Sequence, residues 1–321
     1  MTGLPRLTVG LPVYNGEEYL AESLDALLGQ TFEDFELIIS DNASTDGTAG
    51  ICRHYARQDS RIRYLRQPRN IGAAPNHNVL VRQARGELFK WAASDDLYAR
   101  DLMARCVAAL DEYPQVVLAH SLSAIIDGTG TATKLVRYPV RTSAPRAPDR
   151  FASMLFDGWG EDEGGVIRTE VLLRTALHGS YHFADRTFVT ELGLHGPFYH
   201  VPDPLYFRRD HPGCAYRSCT TMRARCANLD PRRADRLRNP AVRLYGEYAW
   251  GYVAAIRRAP LSSADRRECY RHLARWLAGR AGPAAGRLLH GGLMQAGDPA
   301  TAAHPVIQVD SFVAGRESRQ P

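Results

Sequence analysis

Two adjacent carboxylates, Asp95 and Asp96, close the apolar run from Leu88 to Ala93, and a helical pattern begins a few residues later, at about Ala99. Open α/β sheets bind ligands at the carboxyl ends of their strands. Carboxylates placed there suit a hard divalent cation bridging phosphate oxygens, although Asp is equally at home as the cap of a following helix. Two more apolar runs end on polar groups: Leu7 to Val13 leads into Tyr14 and Asn15, and Glu36 to Asp41 leads into Asn42. Three polar strand tips on one edge of a parallel sheet would frame a nucleotide-shaped cleft. No G-x-G-x-x-G and no G-x-x-x-x-G-K-[ST] occurs, so neither a dinucleotide fingerprint nor a P-loop is supported.

The elements that position these groups alternate regularly. The strand Leu7 to Val13 precedes a helix for which Asn15 is a candidate cap, with Glu18 three residues on and Leu20, Leu24, Leu27 and Leu28 as one apolar stripe. Next come a buried strand Glu36 to Asp41, a helix opened by the polar run Asn42 to Thr48 and continuing to about Arg57, and a strand Arg61 to Leu65. Asn70-Ile71-Gly72 turns into a helix over Asn76 to Ala84, and Leu88 to Ala93 is the fourth strand. Such alternation with continuous apolar strands implies a parallel sheet covered on both faces. After a helix at about Ala99 to Tyr113, Val116 to Ile126 and Lys134 to Tyr138 form a hairpin around Asp127-Gly-Thr-Gly130. A Pro- and Arg-rich connection, a helix Asp149 to Phe156, a Gly-rich turn, a short strand Gly165 to Arg168, two helices and a strand Phe198 to Arg209 follow. Helices are expected over Asn239 to Arg258 and Ser262 to Gly279, and the tail from about Ala281 has little periodicity.

The 321-residue chain is long enough for one large α/β domain or two smaller ones. Of its 40 basic residues only Lys90 and Lys134 are lysines, which suits a GC-rich genome and a specialised-metabolite pathway such as antibiotic biosynthesis. The arginines are spread along the chain without the basic, aromatic-interleaved runs of nucleic-acid binders, so no nucleic-acid partner is expected. The six cysteines form no C-x-x-C pair, and the spacing of Cys214, Cys219 and Cys226 matches no common zinc pattern, so reduced thiols are the expectation. No apolar stretch approaches 18 residues and no charged-then-apolar leader precedes Leu7. A soluble, cytoplasmic protein without integral membrane association is the corresponding expectation.

Four motifs in order, Leu11-Pro-Val-Tyr-Asn-Gly-Glu-Glu-Tyr-Leu20, Ile39-Ser-Asp-Asn-Ala-Ser-Thr-Asp-Gly-Thr48, Asn70-Ile-Gly72 and Ala93-Ser-Asp-Asp96, resemble the inverting family-2 glycosyltransferases with the nucleotide-diphospho-sugar transferase fold. The likeness is specific over about residues 7 to 110, continues more loosely to about 213, and does not reach the C-terminal hundred residues. It implies an α/β fold with a mostly parallel central sheet and helices on both faces, to which the sequence pattern adds a helical C-terminal extension. The implied division is a nucleotide-sugar-binding half (1–115), an acceptor-binding and catalytic half (116–213), and the extension with its poorly ordered tail (214–321). The implied activity is metal-dependent transfer of a sugar from a UDP or dTDP donor to a small-molecule or glycan-precursor acceptor, with Mn²⁺ or Mg²⁺ as cofactor and a homodimer as a further possibility.

Residue by residue, the resemblance places Tyr14 against the nucleobase and Asp41 where a carboxylate accepts from the base imide or the ribose, with Pro12, Asn15, Asn70 and Ser94 also on the donor. Asp95 occupies the last position of the D-x-D motif and becomes the metal ligand, while Ala93 replaces that motif's first acid. Asp96 either compensates for Ala93 or caps the following helix, the cap being the preferred reading. Asp185, in Tyr181-His-Phe-Ala-Asp185, is the candidate base, with Ala184 where the family often has Glu. A carboxylate within hydrogen-bond reach of an acceptor hydroxyl takes its proton as it attacks the anomeric carbon; the alternative is a helix cap or an ion pair with Arg186. The segment Trp159-Gly-Glu-Asp-Glu-Gly-Gly165 resembles the loop beside the donor sugar, so Gly164 and Gly165 are assigned to the donor and Trp159 and Glu161 to the acceptor, with a plain acidic surface turn as the alternative for Glu161, Asp162 and Glu163. His182 is assigned to the acceptor side. His211 lies where related enzymes complete the metal or diphosphate site, and Arg208 and Arg209 could neutralise the diphosphate; a solvated loop histidine is the alternative. Trp91, Trp159 and Tyr181 are candidates for stacking on sugars or for core packing. Two rivals remain: a sugar-1-phosphate nucleotidyltransferase, disfavoured by the acidic Tyr14-Asn15-Gly16-Glu17, and a catalytically inert nucleotide- or glycan-binding relative.

Overall fold

Strand β1 (Leu7–Val13) forms the axis of the sheet, with six of its seven residues buried because strands pair along both of its edges. The computed structural model describes residues 3–136, 141–157 and 164–280. Helix α1 (Leu20–Leu28) buries Leu20, Leu24 and Leu27, the stripe read from the sequence. Its start is later than the sequence suggested: Tyr19 holds the N-cap position, and Asn15 lies in a loop with a left-handed φ of 52°. The alternation continues through β2 (Phe35–Asp41), α2 (Thr48–Gln58), β3 (Ile62–Arg66), α3 (Ala73–Gln83) and β4 (Leu88–Trp91). These strands are parallel and ordered β3-β2-β1-β4, so the ends of β1, β2 and β4 meet on one edge.

The second half adds β5 (Leu97–Tyr98), α4 (Leu102–Glu112), β6 (Leu118–Ile126), β7 (Ala132–Val136), α5 (Ala147–Phe156), β8 (Val166–Arg168), α6 (Thr169–Leu172), α7 (Ala184–His195) and β9 (Phe198–Arg209). Strand β8 inserts antiparallel between β4 and β6, β9 runs parallel to β6, and β5 lies antiparallel on β9. The expected hairpin is β6 with β7. Helices cover both faces of one continuous sheet, which is wholly parallel in the first half and mixed in the second.

The extension comprises α8 (Ala215–Ser218), α9 (Met222–Leu229), a 3₁₀ turn (Pro231–Ala234), α10 (Ala241–Arg258) and α11 (Ser263–Arg280). Tyr248, Tyr252 and Ile256 of α10 join Leu273 and Trp276 of α11 in a cluster with Phe151 of α5 and Leu194 of α7. Glu191 of α7, 2% exposed, accepts both Arg258 Nε (2.7 Å) and an Arg258 terminal nitrogen (3.0 Å), as well as the Ala176 N–H (3.1 Å). Arg258→Ala strands that carboxylate without a counter-charge, and a cost of about 3 kcal/mol in equilibrium denaturation is expected. Glu191→Ala is expected to cost less, since the partly exposed arginine regains water. Among the described residues no helix is long and apolar enough to cross a membrane.

Candidate active site

The loops after β1 and β2 interlock through their small polar residues. Asn15 donates its N–H to Ser44 Oγ (2.9 Å) and accepts from the Thr45 N–H (2.9 Å), while the Gly16 N–H donates to Thr48 Oγ1 (2.9 Å). Asp41 is fully buried, its two oxygens accepting from the Ser44 N–H and the Tyr64 hydroxyl, each at 2.7 Å. Asn15 and Asp41, both expected on the donor, thus also hold the two loops together. As the chain stands, their carbonyl and carboxylate oxygens are engaged in shaping the loops, because a buried polar group must find partners. Ser94 lies beside this assembly, its Oγ 3.2 Å from where a Cβ on Gly16 would sit.

Between these loops and α3 lies a cleft of about 80 Å³ that gathers Pro12, Tyr14 and Asn70 with Asn42, His77 and Asn228. Tyr14 is half exposed, as a stacking ring requires. Asn42 donates from Nδ2 to Asn70 Oδ1 (3.0 Å), and its own oxygen accepts the Ile71 N–H (2.8 Å). Burial lowers the pKa of His77, against the bond of its Nδ1 to the Ala73 carbonyl, and so favours the neutral imidazole. Among the described residues no carboxylate, lysine or arginine lines the cleft.

At the tip of β4 the two proposed metal ligands come together: His211 Nε2 lies 3.0 Å from Asp95 Oδ2. The Tyr19 ring supports the imidazole edge-on, with centroids 4.7 Å apart. A carboxylate oxygen and an imidazole nitrogen suit Mn²⁺ or Mg²⁺. Among the described residues no group of three or more His, Cys, Asp or Glu is gathered for a metal, so donor oxygens and water would complete the shell. The half-buried Ala93 contributes only backbone: its carbonyl accepts from Ser23 Oγ (2.8 Å) and from the Tyr98 hydroxyl (3.1 Å).

Asp96 does not cap a helix, since α4 begins at Leu102 after Asp101. It is 3% exposed, accepts the Arg209 N–H (2.8 Å) and the Tyr206 hydroxyl, and so pins β9 to the β4 tip. Burial and the Asp95 charge raise its pKa, opposed by these bonds and by Arg208. Arg209 likewise is unavailable to a diphosphate. Its guanidinium donates to the Asp95 carbonyl (2.8 Å), the Gly128 carbonyl (2.9 Å) and Glu22, and lies 4.5 Å over the Tyr19 ring. Arg208, the preceding residue of β9, is half-buried.

Lys90, fully buried within β4, donates to the Gly164 carbonyl and lies over the rings of Tyr98 and Tyr206, at 5.1 and 5.5 Å. Burial lowers its pKa to about 8. The glycines at this end of the loop answer to protein contacts: a Cβ on Gly165 would lie 2.6 Å from the Ala119 carbonyl, and one on Gly164 3.0 Å from the Tyr206 ring. Trp159 and Glu161 lie outside the described residues.

Asp185 stands in the first turn of α7, preceded by Phe183 in a left-handed conformation (φ 58°). Such strain in a bulky residue persists where the surroundings impose it. Burial raises the pKa of Asp185, while the Arg186 backbone N–H, the Arg186 charge and the Arg225 charge of α9 pull the other way. His182 does not lie open to an acceptor. It is 8% exposed among Phe183, Tyr245 and Tyr248, and burial with the Arg225 and Arg186 charges lowers its pKa to about 4. Trp91 packs in the core on Phe89, His178 and Phe188, and Tyr181 bonds Thr187 (2.6 Å). All six cysteines are free thiols.

Sequence reasoning missed Lys90, Tyr206, His77 and Asn228. A lysine inside the apolar run Leu-Phe-Lys-Trp was the available signal for the first; nothing local marked the others, which enter through long-range packing.

Comparison with known proteins matches residues 8–178 to the family model described as "Glycosyl transferase family 2". The glycosyltransferase GlyG of Streptococcus pneumoniae is 35% identical over 207 residues, 64% of this chain and 68% of that protein. Among solved structures, Staphylococcus aureus TarS in complex with UDP-GlcNAc aligns with a TM-score of 0.62 at 20% identity, covering 86% of this chain and 72% of that one. The mannosyltransferase PcManGT of Pyrobaculum calidifontis, in complex with GDP-Man and Mn²⁺, aligns with a TM-score of 0.50 at 22% identity, covering 91% and 81%.

Proposed function

The chain belongs to glycosyl transferase family 2, and from that premise we propose that it moves one sugar, with inversion, from a UDP or dTDP donor to a hydroxyl or amine of a small-molecule or glycan-precursor acceptor. The observation that carries this reading is the division of the sheet edge into two chemically distinct places. An uncharged cleft with the exposed Tyr14 ring suits a nucleobase, and the Asp95–His211 pair at the neighbouring strand tip suits a cation on a diphosphate. The Mn²⁺ and GDP-Man bound by PcManGT and the UDP-GlcNAc bound by TarS support both parts.

Asp95 and His211 would hold the cation, which when bound offsets the negative charge developing on the departing diphosphate. Arg208 adds positive charge on the same side. Asp185 accepts the proton of the acceptor hydroxyl as that oxygen bonds to the anomeric carbon and the bond to the diphosphate oxygen breaks. Residues 1–115 supply the donor half, 116–213 the acceptor and base, and 214–321 the extension, whose helices α10 and α11, up to Arg280, pack behind the base.

Incubation with a panel of nucleotide sugars, acceptor sugars and Mn²⁺, following free nucleoside diphosphate, tests the reading. Metal-dependent release from a UDP- or dTDP-sugar is expected. Pyrophosphate release from a nucleoside triphosphate instead would replace it with a nucleotidyltransferase, and binding without any turnover with an inert relative.

A further inference from the structure

We propose that Asn228, on helix α9 of the C-terminal extension, reads the edge of the donor's nucleobase and sets which nucleoside diphosphate the enzyme prefers. This rests on the donor-binding reading above and adds to it a specificity residue from outside the family-matched segment, which ends at residue 178.

The uncharged character of the cleft fits a heterocycle better than a phosphate, since recognition of a phosphate calls for cations or clustered N–H donors. Discrimination among bases needs hydrogen-bonding groups that the protein itself has not already engaged. Most of the amides in the cleft fail that requirement. Asn76 accepts from Ser40 Oγ (2.6 Å) and donates to the Ser40 carbonyl (2.8 Å). Asn42 is bonded through both its oxygen and its nitrogen; the Asn70 oxygen accepts from Asn42 and from the Gly72 N–H (2.9 Å), which leaves Asn70 only its NH2 donors. Asn228 differs: it is exposed, lines the cleft, and has no side-chain hydrogen bond among the described residues. Its amide offers one acceptor and two donors, the combination that reads a base edge.

The backbone that carries that amide is held in place. Gly72, at the start of α3, has a φ of +92°, and a Cβ there would lie 2.4 Å from the Leu229 carbonyl and 2.8 Å from the Asp230 Cα. The end of α9 therefore sits directly on the Asn70–Gly72 turn, one residue from Asn228. On its other side α3 is clamped by Asn78, which donates to the His178 carbonyl (2.9 Å) and accepts the His178 N–H (3.0 Å). A base stacked on Tyr14 would meet a rigid α3 and the Asn228 amide above it.

Calorimetric titration of the full chain with UDP, dTDP, GDP and ADP in Mn²⁺ tests the assignment, using wild type, Asn228→Ala and Asn228→Asp, with pyrophosphate as a base-free probe. Wild type is expected to prefer one base. Asn228→Ala should weaken that nucleotide by about tenfold, the worth of one good hydrogen bond, and narrow the spread among the four, with pyrophosphate binding unchanged. Asn228→Asp, which exchanges donors for an acceptor, should reorder the preference. A spread unchanged within twofold in both variants, or no preference in wild type, overturns the role of Asn228 while leaving the donor reading intact. Failure of wild type to bind any of the four removes the donor reading and the inference together.

Discussion

Asp185→Asn is expected to lower turnover by about three orders of magnitude while donor affinity stays within a few fold. The amide keeps the shape of the carboxylate but cannot accept the acceptor's proton, and a thousandfold loss corresponds to about 4 kcal/mol of transition-state stabilisation. Stability provides the control. Burial raises the folded-state pKa of Asp185 above its unfolded value, so the folded state binds the proton more tightly and ionisation above that pKa penalises the fold. The neutral asparagine removes the penalty, and the variant should melt at the same temperature as wild type or higher at pH 7. A matching loss of stability and activity would mark Asp185 as structural, and near-normal turnover would dismiss it as the base.

The same burial dictates a pH profile. A base must be ionised, so the rate falls as pH drops through its pKa, and for Asp185 that acidic limb lies above the range of an exposed aspartate. Arg225 counters the burial from α9. Arg225→Gln is therefore expected to move the acidic limb of kcat to higher pH, measured at saturating donor and acceptor. A limb that stays in place would show that another group controls it.

Much of this architecture was legible in the chain because it is written in local patterns. The apolar runs of β1, β2 and β4 and the leucine stripe of α1 state their own burial, and the order of four polar strand-end motifs pointed to the family. What escaped was decided by partners distant in sequence. Asp96 reads as a helix cap until β9 arrives with Tyr206 and the Arg209 N–H, 110 and 113 residues away. Nothing local reveals that the loop from Asn42 to Thr48 folds onto the β1 loop and engages Asn15 and Asp41. Helix α9 buries only Cys226, so it carries no apolar stripe from which to recognise it, and its approach to the cleft depends on the missing side chain of Gly72. The Asp95–His211 pair spans 116 residues and was reached through resemblance, not periodicity.

Asp95→Ala should abolish the Mn²⁺-dependent part of nucleoside diphosphate binding. In calorimetry with and without the ion, the affinity gained on adding Mn²⁺ is expected to shrink by at least about tenfold, the lower end of what even outer-sphere changes at a metal site cost. The deletion should be severe because Ala93 leaves no second acid in the motif and, among the described residues, no third His, Cys, Asp or Glu joins the pair. Two protein ligands give little redundancy. His211→Ala should weaken the same metal-dependent part less, since it removes a neutral donor and keeps the charge. Neither change is expected to unfold the β4 tip, because Asp96, Arg209 and Tyr206 join β9 to it without using the Asp95 carboxylate: Arg209 holds Asp95 through its backbone carbonyl. Unaltered Mn²⁺ dependence in Asp95→Ala would move the cation away from this strand tip, whereas equal losses in both variants would make the imidazole as necessary as the carboxylate.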